Sequence, residues 1–142
     1  MKAITCHNYG SPDVLKYEEI EKPTVGDDEV LIKVRAASVN PVDWHLMEGK
    51  PSLARLMPGF GLRKPKNTRV GSDVAGHVEA VGKNVTRLKP GDEVFGVCRG
   101  AFAEYGCAPE SLGMWTWSGL LAQTTSLITP NRNSPKPAKA TI

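Results

Sequence analysis

At 142 residues the chain has room for one domain with a real core but not for two of ordinary size, and 40% hydrophobic with 23% charged residues is the composition of an average soluble globular protein. The net charge of +3 does not build a basic face, because every acidic residue lies at or before Glu110 and the excess is Arg132, Lys136 and Lys139 near the C-terminus. The clustered cations of a nucleic-acid surface are therefore not expected.

Strand signals begin at once. Residues 2–6 are short and half apolar, 15–20 are strand-like between turn-forming stretches at 9–13 and 23–28, and 30–36 alternate Val30, Ile32, Val34 and Ala36 against Lys33 and Arg35, the pattern of a strand with one buried face. Asn40-Pro41-Val42-Asp43 reads as a helix start: Asn40 accepts from a free backbone N–H, Pro41 suits the first helical position, and Asp43 favours the positive end. Gly49 stops this helix after about two turns, residues 52–57 suggest another short turn, and 58–67 form a basic loop containing Gly and Pro.

Alternation returns from Val70, where Val74, Gly76, Val78 and Ala80 oppose Ala75, His77, Glu79 and Val81. Gly76 in mid-strand marks a bulge or a close backbone approach. Turns at 82–84 and at Pro90-Gly91-Asp92 bracket further strands at 93–97 and 101–108, so residues 1 to about 110 hold at least five strands with little helix. After Glu110 the character changes. No charge of either sign appears from Ser111 to Asn131, and the last dozen residues are dominated by Pro, Asn, Lys and Ser. The expected organisation is a domain over 1–111 and a divergent tail over 112–142, loosely packed or disordered, whose dispersed Gly, Ser, Thr and Gln argue against a membrane-spanning helix.

Cys6, Cys98 and Cys107 are odd in number and lack a C-x-x-C pair, so they draw neither a disulfide framework nor a four-ligand zinc cluster. Reduced thiols and an N-terminus interrupted by Asn8, Gly10, Ser11 and Pro12 point to a cytoplasmic protein. A dinucleotide-binding turn requires Gly-x-Gly-x-x-Gly between a strand and a helix. Gly59-Phe60-Gly61 lacks the third glycine and runs into Arg63, Lys64 and Pro65.

The densest run of constrained residues is Gly71-Ser72-Asp73-Val74-Ala75-Gly76-His77-Val78-Glu79-Ala80-Val81-Gly82, followed by Pro90-Gly91-Asp92-Glu93-Val94-Phe95-Gly96. With Ala37-Ser38-Val39-Asn40-Pro41-Val42-Asp43-Trp44, these blocks resemble the N-terminal, GroES-like domain of medium-chain dehydrogenase/reductases, in the zinc-independent quinone oxidoreductase and enone reductase branch. The resemblance implies a mostly β, partly open barrel with one or two short helices. It also implies an NADPH-dependent hydride transfer to a quinone, enone or enal, in a cleft shared with a Rossmann domain that this chain does not carry. Such a chain is expected to be truncated and inactive alone. Zinc-containing relatives carry a ligand Cys where Asn40 stands and Gly-His-Glu where Gly71-Ser72-Asp73 stands, so no metal is expected.

By the same resemblance Asn40 and Asp43 are the candidate catalytic residues, Asn40 donating a hydrogen bond to substrate or cofactor and Asp43 fixing the local geometry. As residues, they serve equally well as helix caps. Tyr9 and Trp44 are candidate substrate-binding residues, with packing the competing role for Trp44. A non-catalytic binding or regulatory module, associating with itself or another chain through its barrel surface or tail, is the alternative function.

Overall fold

The computed structural model describes residues 1–56, 61–111 and 114–116. Strand β1 (Lys2–Cys6) and β2 (Leu15–Glu19) form an antiparallel pair. β3 (Glu29–Ser38), β4 (Asp73–Val81), β5 (Glu93–Val97), β6 (Tyr105–Pro109) and β7 (Trp115–Thr116) form an antiparallel sheet in the order β6-β3-β4-β5-β7. One helix, α1 (Pro41–Glu48), and two 3-10 turns, Pro12–Val14 and Ser52–Leu56, complete the regular structure among the described residues. Neither sheet closes on itself, so the fold is the partly open, mostly β arrangement expected.

β3 and β4 are the central strands. The alternation read from 30–36 holds only over 32–35: Val30, Leu31 and Ile32 are all buried, Lys33 is exposed, Val34 is half-buried, and Arg35 and Ala36 are exposed. Two irregularities in the β3–β4 ladder, between Leu31 and Ile32 and between Val34 and Ala36, break the two-residue period, as a bulge must. Val30 and Ile32 meet Val74, Val78, Val94 and Ala108 in the core. Gly76 pairs with Val34, and a β-carbon there would collide with the Lys33 carbonyl, the close backbone approach foreseen for a glycine in mid-strand.

β1 crosses the second half of the chain by bridges at Ala3–Ala103 and Thr5–Arg69, which brings the first ten residues against the segment before β4. On the far edge, Met114 is buried in the core and β7 pairs with β5 through Phe95–Trp115 and Val94–Thr116. The rest of the expected tail, residues 112–113 and 117–142, lies outside the described residues. Among the described residues no helix is long and apolar enough to cross a membrane.

Candidate functional site

α1 begins where the chain leaves β3. Asn40 is extended (φ −129°, ψ 167°) and its Oδ1 accepts from the Val42 N–H at 2.8 Å, while the Asp43 Oδ2 accepts from the Asn40 N–H at 3.0 Å. This reciprocal capping box, with Pro41 in the first turn, satisfies donors that a helix start otherwise leaves free. Gly49 ends the helix in the left-handed region (φ 63°), and Arg55 donates to the Gly49 and Glu48 carbonyls, satisfying orphan acceptors there.

The cap continues into β4. Asn40 Nδ2 donates to Asp73 Oδ2 at 2.9 Å, the Ser38 hydroxyl donates to the same oxygen at 2.8 Å, and the Ser72 hydroxyl donates to Asp43 Oδ1 at 2.8 Å. The hydrogen bonds from Asn40 and then Ser38 hold the Asp73 carboxyl below the usual range, because they favour its ionised form. Asp43 is only 4% exposed, and both of its oxygens are engaged, so it fixes α1 against the Ser72 turn. Asn40 has spent its carbonyl oxygen and one amide hydrogen, which leaves one N–H to offer a ligand.

Beside this network lies a cleft of about 520 Å³. Tyr9 and Met47 line one side, Cys6 and Cys98 contribute apolar lining, and Ser72 and Arg69 add polar groups. The Tyr9 hydroxyl donates to the Gly61 carbonyl at 2.8 Å and accepts from the Gly61 N–H at 3.2 Å, and Arg55 stacks over its ring at 4.5 Å from the centroid. The ring is thus fixed in the wall. Burial pushes the Cys98 thiol up to about 12, with neighbouring Cys107 adding to the rise, and burial also raises Cys6. Both are neutral thiols near pH 7 and behave as small apolar groups.

The four residues chosen from sequence divide. Tyr9 is in the cleft wall; Asn40 and Asp43 are not among the lining residues, Asp43 being joined to the cleft through Ser72 and Asn40 only through its hydrogen bond to Asp43. Trp44 is 48% exposed, lies 4.9 Å from the His45 ring, and is not among the lining residues. Sequence reading missed Met47 and Arg69. The position of Arg69 just before the Gly71-Ser72-Asp73 block was the available signal. His77 is a half-buried strand residue 3.8 Å from Glu93.

The side chains of Asn40 and Ser72 are directed to Asp73 and Asp43. Among the described residues no group of three or more His, Cys, Asp or Glu could hold a metal ion. NADPH does not fit these residues by themselves: α1 satisfies its own N-terminal donors with Asn40 and Asp43, and the sequence has no glycine-rich turn to hold a pyrophosphate.

The chain is 40% identical over 119 residues to a chloroplastic quinone-oxidoreductase homolog of Spinacia oleracea, covering 79% of this chain and 33% of that protein. It is 40% identical over 113 residues to the quinone oxidoreductase of Sus scrofa, covering 78% and 32%. It therefore spans about a third of the length of these relatives. A mycobacterial protein solved in complex with NADPH superposes with a TM-score of 0.68 at 35% identity, over 82% of this chain and 33% of that one. Residues 26–133 match the alcohol dehydrogenase GroES-like domain, and the chain belongs to that family.

Proposed function

We propose that the chain is the acceptor-side domain of a zinc-free, NADPH-dependent oxidoreductase that reduces a quinone or a conjugated enone or enal by hydride transfer. The observation that carries this reading is the open cleft rimmed by Ser72 and backed by the Asn40–Asp43 cap, in a chain whose relatives are quinone oxidoreductases. An apolar pocket with few polar groups suits a quinone or enone body. Without a Lewis acid, polarisation of the acceptor carbonyl falls to hydrogen-bond donors, and the remaining Asn40 N–H is the candidate, for an acceptor carbonyl that extends beyond the lining residues to the start of α1. Tyr9 supplies a rigid wall, and Asp43 acts as a positioning residue. Trp44 is exposed on α1 and does not line the cleft, so no substrate contact is assigned to it. The three buried free thiols are in keeping with a reducing, cytoplasmic setting.

The cofactor's phosphates would be held by a unit outside these residues, so the chain alone is expected to be inactive. Joint positioning of two reactants lowers a barrier by roughly 7–11 kcal/mol, and a domain that binds one of the pair forfeits most of it. The test is NADPH oxidation with a simple quinone by this chain and by its fusion to a Rossmann domain from a zinc-free relative. Turnover is expected only from the fusion, and it should fall on Asn40→Ala. Turnover by the unfused chain, or a dead fusion that folds, defeats the reading. One zinc per chain retained after chelation counts against its metal-free part.

A non-catalytic binding module is the second reading, favoured by the exposed Val39, Val42, Trp44, Leu53 and Leu56 on and around α1, more apolar surface than a helix facing water needs. Light scattering separates the two: stable self-association of the unfused chain through this face supports the module.

A further inference from the structure

Beyond its apolar wall, the cleft is one-sided in charge. Lys66, Arg69 and Arg99 line it, no Asp or Glu does, and none of the three cations is in an ion pair among the described residues. Arg69 is half-buried. Its backbone bridges Thr5, its N–H donates to Asn67 Oδ1 at 3.1 Å, and the stem of its side chain lies against Gly100, so its base is fixed while its guanidinium has no partner among the described residues.

The obvious counter-charges are committed elsewhere. Asp43 accepts from Asn40 and Ser72, and Asp73 from Ser38 and Asn40. The cleft thiols are neutral. A partly desolvated guanidinium without a counterion is costly, and its fork geometry matches a carboxylate with two parallel, charge-assisted hydrogen bonds. Cys6, Met47 and Cys98 meanwhile present apolar surface to the body of a ligand.

We infer that the cleft selects acceptors carrying a carboxylate next to a flat apolar body, with Arg69 as the principal anchor and Lys66 and Arg99 adding to the field. This deepens, and rests on, the acceptor-side reading above by naming its substrate class.

The experiment is calorimetric titration of the full chain with cinnamate and with cinnamamide, conjugated probes of nearly equal shape that differ by one charge. Cinnamate should bind at least about tenfold more tightly at low salt. The advantage should shrink as salt rises and vanish in Arg69→Gln, with cinnamamide unaffected. Because Arg69 is packed at its base, the pair Lys66→Gln/Arg99→Gln, at exposed positions, is run beside it and should lower cinnamate affinity several-fold in a chain with an unchanged urea midpoint. Equal affinities, no binding of either probe, or a preference that survives all three substitutions overturns the inference. So does displacement of cinnamate by inorganic pyrophosphate at lower concentration, which would assign the cations to cofactor phosphates. A fusion that reduces a neutral quinone while the chain shows no charge preference sinks this inference and leaves the acceptor-side reading standing. Arg69-dependent cinnamate binding with a dead fusion does the reverse.

Discussion

Replacing Asp43 by Ala removes the residue that ties α1 to β4. Its carboxylate, 4% exposed, accepts from the Asn40 N–H at 3.0 Å and the Ser72 hydroxyl at 2.8 Å. A hydrogen bond to a charged group contributes about 1.5–3 kcal/mol. Two would give about 3–6, from which the relief of no longer burying a charge must be subtracted. We expect a net loss of about 3 kcal/mol for Asp43→Ala and about half that for Asp43→Asn, whose amide keeps one acceptor oxygen. Urea denaturation followed by tryptophan fluorescence measures it, with the midpoint falling and the slope unchanged. A loss below about 0.5 kcal/mol for Asp43→Ala would refute the argument, since surface substitutions cost that much.

Gly76→Ala places a β-carbon against the Lys33 carbonyl in the ladder between the two central strands, and should cost about 3 kcal/mol or prevent folding; a near-neutral urea midpoint contradicts the packing. Asp73 is more acidic folded than unfolded, so its contribution to stability is complete above the unfolded pKa and drains as pH falls through about 4 and below. An NMR titration of its carboxyl should show a midpoint beneath the ordinary Asp value, moving up in Asn40→Ala; an ordinary midpoint in the parent chain refutes the hydrogen-bond assignment. Cys98, pushed up to about 12, should react with iodoacetamide at pH 8 on the order of a thousandfold more slowly in the native protein than after unfolding. Equal rates would show that the thiol is not buried as described.

What could be read from the sequence was what local chemistry decides. Asn40, Pro41, Asp43 and Gly49 announce both ends of α1 because capping involves residues within one turn of each other. Gly76 announces a close approach because a missing side chain inside an alternating strand has few other uses. The extended burial of Val30, Leu31 and Ile32 was not legible. It arises because β3 lies between β4 and β6 and is bulged, and both facts depend on partners far along the chain. β7 escaped notice for the same reason: Trp115 and Thr116 carry no alternating pattern of their own, and only β5 gives them a place.

The site followed the same division. Recognising Asn40 and Asp43 as caps required four consecutive residues, but their coupling to Ser72 and Asp73 spans 29 and 33 positions and exists only because β3 pairs with β4 in the observed register. Ser38 opposite Asp73 at the end of that ladder puts the start of α1 directly beside the residues preceding β4. That pairing carries Ser72 and Arg69 into the same cleft as Tyr9 and Met47. A one-residue slip of β4 would exchange its two faces: Asp73 would leave Ser38 and Asn40, and Ser72 would leave Asp43. The shape of the cleft and the stability of the central sheet are therefore set by the same ladder, so on the proposed acceptor-side reading substitutions in β3 and β4 away from the cleft should alter ligand binding along with the folding midpoint.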